Sequence, residues 1–329
     1  MKTALITGVA GQDGSYMAEL LLDKGYRVVG GVRDLARAAK FLSPRLRNGV
    51  ELVLWDMCSL EAMAEVLSTV RPAEIYNFAA FSSGAGMYDD PVGMAEVNGV
   101  AVARTLEAIR QVDAGIRFCQ ASSREVFGEA LTSPQNESTP RNPRSPYGAA
   151  KAFADSLVQI YRQRYGMFAT SAILFNHESP RRGLSFVTRK ISHEAARIKL
   201  GLATQLLLGN LEAQRDWGFA GDYVHAMWLM QQQVEPDDYV ISTGKGHSVR
   251  EFCEYAFAHL GLDYRDYVKE DKDSYRPAEP VLLVGCYEKA RVKLGWNPQT
   301  QLRELVGWMV DADMQMLSEK ETDKAIEDV

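Results

Sequence analysis

The stretch TALITGVAGQDGSYMAELLLDKG, Thr3 to Gly25, decides the fold. It opens on a short apolar, β-branched run, passes through Gly8, Gly11 and Gly14 in a GxxGxxG spacing, and continues into an amphipathic helical pattern. Glycines there allow a tight turn after the strand and close backbone approach to a pyrophosphate, whose charge meets the positive end of the next helix. A glycine pattern alone is weak. Set between an N-terminal strand and a helix, it indicates a dinucleotide-binding loop, with Gln12 and Asp13 inside it.

Working outward, apolar runs with strand character recur at Arg27–Gly30, Val50–Leu54, Glu74–Ala80, Ile116–Ala121 and Phe168–Phe175, with helical patterns between them. Strands that are apolar throughout and separated by helices predict a parallel sheet covered on both faces. The expected fold is α/β, a doubly wound Rossmann-type sheet spanning residues 1–175. From Asn176 the alternation breaks down into a Pro, Arg and Gly loop, a helix with Arg189 and Lys190 near its start, the strand DDYVIST and further helices. We expect residues 176–317 to form mainly a smaller α+β substrate lobe, some segments returning to the sheet. The charged tail 318–329 is expected to fray.

A chain of 329 residues is long enough for a large core, and 46% hydrophobic residues suit an ordinary globular protein. A formal charge of −6 disfavours nucleic-acid or membrane-surface partners. The four cysteines form no CxxC pair, no apolar run approaches the ~20 residues of a membrane helix, and the N-terminus lacks a secretory pattern. These features predict a cytoplasmic protein. No histidine pair has metal spacing, since HEAAR at His193 carries Arg197 where a zinc helix needs its second histidine; no metal is expected.

About 20 residues beyond the glycine loop, an acid would bind a ribose hydroxyl and an arginine a 2′-phosphate. Arg33 followed by Asp34 offers both. With Arg37 and Lys40 nearby, charge complementarity favours NADP, NAD being the alternative. Asp56, after the third strand, is placed to reach the adenine or to cap the helix that follows; Met57 and Ala79 are also expected to bind the cofactor. Tyr147 and Lys151, in SPYGAAK, fall on one face if a helix begins after Pro146. The lysine would then depress the phenol pKa and hold the nicotinamide ribose, making Tyr147 a base. With 14 tyrosines in the chain, a chance YxxxK is expected; its position after the fifth strand, with Ser123 at that strand's end, makes a Ser/Tyr/Lys set. Glu125 stands two residues beyond Ser123.

The glycine loop, of short-chain dehydrogenase spacing, together with QASSREVFG, PRSPYGAAK, ILFNHESPRRGLSFVTRKI, LGNLEAQRDWGFAGDYVHAMWLM, EPDDYVISTG and YRPAEPVLLVG, resembles the GDP-mannose 4,6-dehydratase family of extended short-chain dehydrogenases. The resemblance runs from about Thr3 to Met316, and the NHESPRRG and RDWG blocks are far more specific than the glycine loop. It implies NADP-dependent, redox-neutral dehydration of a GDP-linked sugar to its 4-keto-6-deoxy form. Onto this sequence it maps Ser123, Glu125, Tyr147 and Lys151 as catalytic, His177 and Arg182 as cofactor contacts, and Asn176, Lys190, Arg215, Arg276 and Glu279 as nucleotide-sugar contacts.

The chain departs from the family pattern at Asp34, at AFSSGAG from Ala80 to Gly86, near Gly93 and at Phe127. The last three changes are expected to lie by the sugar and widen its pocket, so a GDP-manno-heptose 4,6-dehydratase is the alternative. A GDP-keto-sugar reductase or epimerase is a further one, disfavoured by Glu125, and a non-catalytic dinucleotide-binding protein another. Apolar residues on the helix from Ala95 to Val112 and on the helix at Tyr147 predict a homodimer or homotetramer.

Overall fold

The computed structural model describes residues 1–81, 88–271 and 281–327, with side chains to residue 319. The first part runs β1 (Thr3–Thr7), α1 (Gln12–Asp23), β2 (Arg27–Val32), α2 (Leu35–Phe41), α3 (Pro44–Gly49), β3 (Val50–Leu54), α4 (Leu60–Val70), β4 (Glu74–Asn77), α5 (Pro91–Ala95), α6 (Ala101–Val112), β5 (Arg117–Ala121), α7 (Pro146–Tyr165) and β6 (Ala169–Leu174). The second runs β7 (Asn176–Glu178), α8 (Val187–Lys199), β8 (Leu206–Leu208), β9 (Gln214–Arg215), β10 (Trp217–Phe219), α9 (Ala220–Gln231), β11 (Tyr239–Ile241), β12 (His247–Ser248), α10 (Val249–His259), α11 (Tyr264–Tyr267), β13 (Val268–Glu270), α12 (Glu288–Leu294) and α13 (Leu302–Glu327).

The main sheet has seven strands in the order β11, β6, β5, β4, β1, β2, β3, all parallel. All six strands expected between Thr3 and Phe175 are in it. The strand in DDYVIST extends its edge, Val240 pairing with Ile173. Strand order reverses between β1 and β4, which opens the crevice beyond the carboxyl ends where ligands bind in such sheets. Alternate side chains feed opposite cores. Ala4 and Ile6 pack with Met17, Leu21, Met227 and Met230 on the α1/α9 side, whereas Leu5 and Val29 pack with Met63, Leu67, Leu106, Ile109 and Val158 on the α4/α6/α7 side.

Side-chain caps start the helices where the sequence places them: Ser59 for α4, Ser145 for α7 and Ser248 for α10. Between α5 and α6 the helix widens to a π turn over Glu96–Val100. There Gly99 lets it approach α7, since a Cβ would lie 3.0 Å from the Phe153 ring. A third core joins α8, α10 and α13 in the second lobe. Arg189, on the buried face of α8, is ion-paired with the fully buried Asp313 of α13, which also accepts from Ser192 Oγ at 2.8 Å. The tail, expected to fray from Ser318, instead continues α13 to Glu327. Among the described residues no helix is long and apolar enough to cross a membrane.

Candidate active site at the carboxyl ends of β1, β4 and β5

Strand β1 leads into Gly8, whose φ of +71° suits glycine and against which the Ala79 backbone is packed. Gly11 caps α1, and Gly14 lies one turn inside it, where an added Cβ would stand 2.3 Å from Gly8 O and 2.7 Å from Val9 Cα. Those contacts are backbone and cannot swing aside. Gly14→Ala is therefore expected to cost about 1–3 kcal/mol or more through overpacking and to weaken dinucleotide binding; an unchanged melting temperature would contradict this.

A buried hydrogen-bond chain crosses the strand ends. Thr7 Oγ1 donates to Asn77 Oδ1 at 2.5 Å, Asn77 Nδ2 to Gln120 Oε1 at 2.7 Å, and Gln120 Nε2 to Ala121 O at 2.8 Å. Ala121 O also accepts from Lys151 Nζ at 2.7 Å. Lys151 is only 2% exposed, and burial pushes its pKa down to about 8, with the Asp155 charge acting the other way.

The Ser145 cap and Pro146 start α7 so that Tyr147, Lys151 and Asp155 follow one another at four-residue intervals. Their partners are the adjacent serines at the end of β5. Ser122 Oγ donates to Asp155 Oδ2 at 2.8 Å, and Ser123 is hydrogen-bonded to Tyr147. The Tyr147 ring is half-buried and its hydroxyl end desolvated. Burial raises the phenol to about 12, the Glu125 charge adds to that, and Ser123 and Arg182 oppose it. The expected depression of the phenol by Lys151 is not found: its ammonium stands 5.8 Å from the ring centroid and is directed to the Ala121 carbonyl. Asp155, missed in the sequence, has its carboxyl raised to about 6 by burial, with Arg141 and Ser122 pulling it back. The repeated four-residue spacing was its only signal.

Ser123 caps a short 3₁₀ turn, Arg124–Val126, its Oγ accepting from Glu125 N at 3.3 Å. The Glu125 carboxylate is paired with Arg124 at 2.8 Å, and Arg124 Nε donates to Asn176 Oδ1 at 2.8 Å. Phe127, expected by the sugar, is fully buried in an apolar cluster with Val126, Phe175, Ile173, Val240 and Leu283. A ring there packs the core and does not widen a pocket. Near Gly93, the Asp90 carboxylate caps α5 by accepting from Gly93 N at 2.8 Å. Ser82 to Gly86, Arg276 and Glu279 lie outside the described residues.

Gln12, Asp13, His177 and Arg182 meet at one seam. Gln12 Nε2 donates to His177 O at 3.1 Å, and His177 Nε2 forms an ion-pair contact with Asp13 at 3.0 Å. Burial opposes both charges, but their mutual attraction wins, holding the Asp13 carboxyl below and the His177 imidazole above the ordinary values. Ser179 Oγ donates to Gln12 Oε1 at 2.9 Å, so the first residue of α1 is tied to the second lobe. Arg182 is paired with Glu178 at 3.1 Å and lies 3.5 Å from the Phe186 ring centroid.

Beyond the carboxyl end of β2, Arg33, Arg37 and Lys40 are exposed. The Asp34 side chain caps α2, accepting from Arg37 N at 2.9 Å. Asp56 does not cap α4, which is the work of Ser59; it accepts from Cys58 N at 2.9 Å. Met57 is buried beside it. Lys190 and Arg215 stand in the second lobe, Lys190 Nζ donating to Leu207 O at 2.7 Å and Arg215 Nη1 to Gln214 O at 2.6 Å.

This arrangement can be set beside known proteins. The chain is 46% identical to GDP-mannose 4,6 dehydratase 2 of Arabidopsis thaliana, over 96% of this chain and 87% of that one. It is 43% identical to the GDP-mannose 4,6 dehydratase of Homo sapiens, over 95% and 92%. The crystal structure of the Thermus thermophilus UDP-glucose 4-epimerase in complex with NAD superposes with a TM-score of 0.80 at 26% identity, covering 94% of this chain and 98% of that chain. The profile of the family described as GDP-mannose 4,6 dehydratase matches residues 5–309, and with relatives this similar along nearly its whole length the chain belongs to that family.

Proposed function

We propose that the chain converts GDP-mannose to GDP-4-keto-6-deoxymannose by 4,6-dehydration, using a nicotinamide dinucleotide that is regenerated in each turnover. The observation that carries this reading is that Glu125 stands in the same short turn as Ser123, whose Oγ accepts from Glu125 N and is hydrogen-bonded to Tyr147. Oxidation or epimerisation at C4 needs only the pair; removing water across C5 and C6 needs a second acid–base group. Family membership supports the same chemistry and the same sugar.

The residues present fit a dinucleotide. Gly14 leaves no room for a Cβ, Gly8 has the left-handed backbone a tight turn needs, and Gly11 leads directly into the N-terminus of α1. When bound, the cofactor supplies a reversible hydride acceptor and, in its oxidised form, a positive charge. NADP is our reading of its identity, because the Asp34 carboxylate is engaged as a helix cap while Arg33, Arg37 and Lys40 are exposed and would attract a 2′-phosphate. Asp56 and Met57 would flank the adenine, Ala79 and Lys151 the nicotinamide half, and His177 and Arg182 would close over it.

Tyr147, with Ser123, takes the C4 hydroxyl proton. Lys151 holds a positive charge near that phenol at neutral pH, since its pKa remains about 8. Glu125 takes the C5 proton once a C4 ketone has made it acidic, and returns a proton to the departing C6 hydroxyl. Asn176, Lys190 and Arg215, with Arg276 and Glu279, would bind the GDP-sugar. Phe153 and Ile160, 48% and 51% exposed on α7, support pairing with a second copy of the chain.

Incubated with GDP-mannose, the purified protein is expected to yield a 4-keto product, detected by alkaline absorbance and by a mass lower by one water. Denaturation should release NADP. No product would overturn the assignment, and an epimer of unchanged mass would replace it with an epimerase.

A further inference from the structure

Arg124 has no part in the site as read from the sequence, and its surroundings are those of a built contact. Its side chain is 8% exposed, a costly place for a guanidinium unless each face of the fork is used. Nη2 is 2.8 Å from Glu125 Oε1, and Nε donates to Asn176 Oδ1 at 2.8 Å. Sequence neighbours in a helical turn do not face each other. Here the fork is drawn back to its own neighbour by Asn176, which belongs to β7 and to the second lobe. The backbone between them is held as well: Glu125 N donates to Ser123 Oγ, Phe127 N to Arg124 O at 3.0 Å, and Glu125 O packs where a Cβ on Gly148 would lie 2.5 Å away.

We infer that Arg124 is the positioning residue of the elimination step, fixing the Glu125 carboxylate through Oε1 so that Oε2 is presented to the sugar. The inference rests on the proposed dehydratase activity. In that step the C5–H proton passes to Glu125, the electron pair forms the C5–C6 double bond as the C6–O bond breaks, and the proton goes on to the departing hydroxyl to give water. A fixed guanidinium stabilises the carboxylate that is regenerated, so proton return to the leaving group is favoured. C4 oxidation does not involve Glu125, so Arg124 acts on one half of the reaction and leaves the other alone.

The test compares wild type, Arg124→Gln and Arg124→Lys on GDP-mannose carrying deuterium at C4 or at C5. For Arg124→Gln, kcat is expected to fall about 10- to 100-fold, within the span of a general acid–base contribution, with KM little changed. The isotope effect from C5 deuterium should grow and that from C4 deuterium should vanish, because elimination has become limiting. Arg124→Lys keeps the charge without the fork and should fall between the two. A merely structural role would lower both halves together and leave the isotope pattern of the wild type, which overturns the inference, as does an unchanged kcat. Should Arg124→Gln fail to fold, the isotope pattern of Arg124→Lys decides in the same way. Wild-type protein that releases no 4-keto product overturns the dehydratase reading itself, and this inference with it.

Discussion

Tyr147→Phe is expected to lose turnover by about 10² to 10⁴, the size of one general acid–base contribution, while keeping its fold. The substitution removes a single hydroxyl from a half-buried ring. Ser123, which loses that partner, still accepts from Glu125 N, so the stability loss should be about 0.5–1.5 kcal/mol. The rate loss corresponds to about 3–5.5 kcal/mol. The gap between the two figures is what identifies a group that acts on the reaction rather than on the fold. It is read from kcat for water loss beside a thermal melt. In the variant no ketone forms at C4, so solvent deuterium should not enter C5 either. Turnover within tenfold of wild type would remove Tyr147 from the role of base.

Glu125→Gln is expected to fall by a similar factor, about 10² to 10⁴, but at a different step. The amide is nearly isosteric and can still accept from Arg124, so the 3₁₀ turn and nucleotide-sugar binding should be kept. What is lost is the capacity to take a proton from C5. Oxidation at C4 should continue while solvent deuterium fails to enter C5, whereas in Tyr147→Phe the first step itself is blocked and neither occurs. Stability should fall more than in Tyr147→Phe, by about 1–3 kcal/mol, because a buried guanidinium then faces a neutral group. Deuterium incorporation at the wild-type rate would assign the C5 proton to another residue.

The fold was legible because its signal is local: six apolar strands with helices between them, and a glycine loop after the first. Much of the candidate site was legible for the same reason, since Ser123, Glu125, Tyr147 and Lys151 lie in two short blocks that the fold brings together. What escaped depends on contacts between distant segments. Arg124 reads as a solvated charge until Asn176, 52 residues on, is brought against it. Asp155 reads as the polar face of a helix until the end of β5 lays Ser122 on it. Phe127 is expected by the sugar because its neighbours in sequence are expected there, whereas the 3₁₀ turn directs it into the core with Phe175. Arg189 was one cation among several on α8, and only the approach of α13 makes it a buried strut. The short strands β7, β9, β12 and β13, two or three residues each, leave no periodicity to find.

The adjacent serines at the end of β5 bear on how such a site can be transplanted. Ser122 and Ser123 are chemically identical, yet one hydroxyl is wired to Asp155 and the other to Tyr147. Their tasks are set by how far past the last residue of β5 each stands, one residue or two, so the information resides in position along the chain rather than in residue type. A designer who grafts the Ser, Tyr and Lys triplet onto another sheet therefore inherits a spacing condition. A strand longer or shorter by one residue would hand the phenol's partner to the carboxylate, with every residue of the motif still in place.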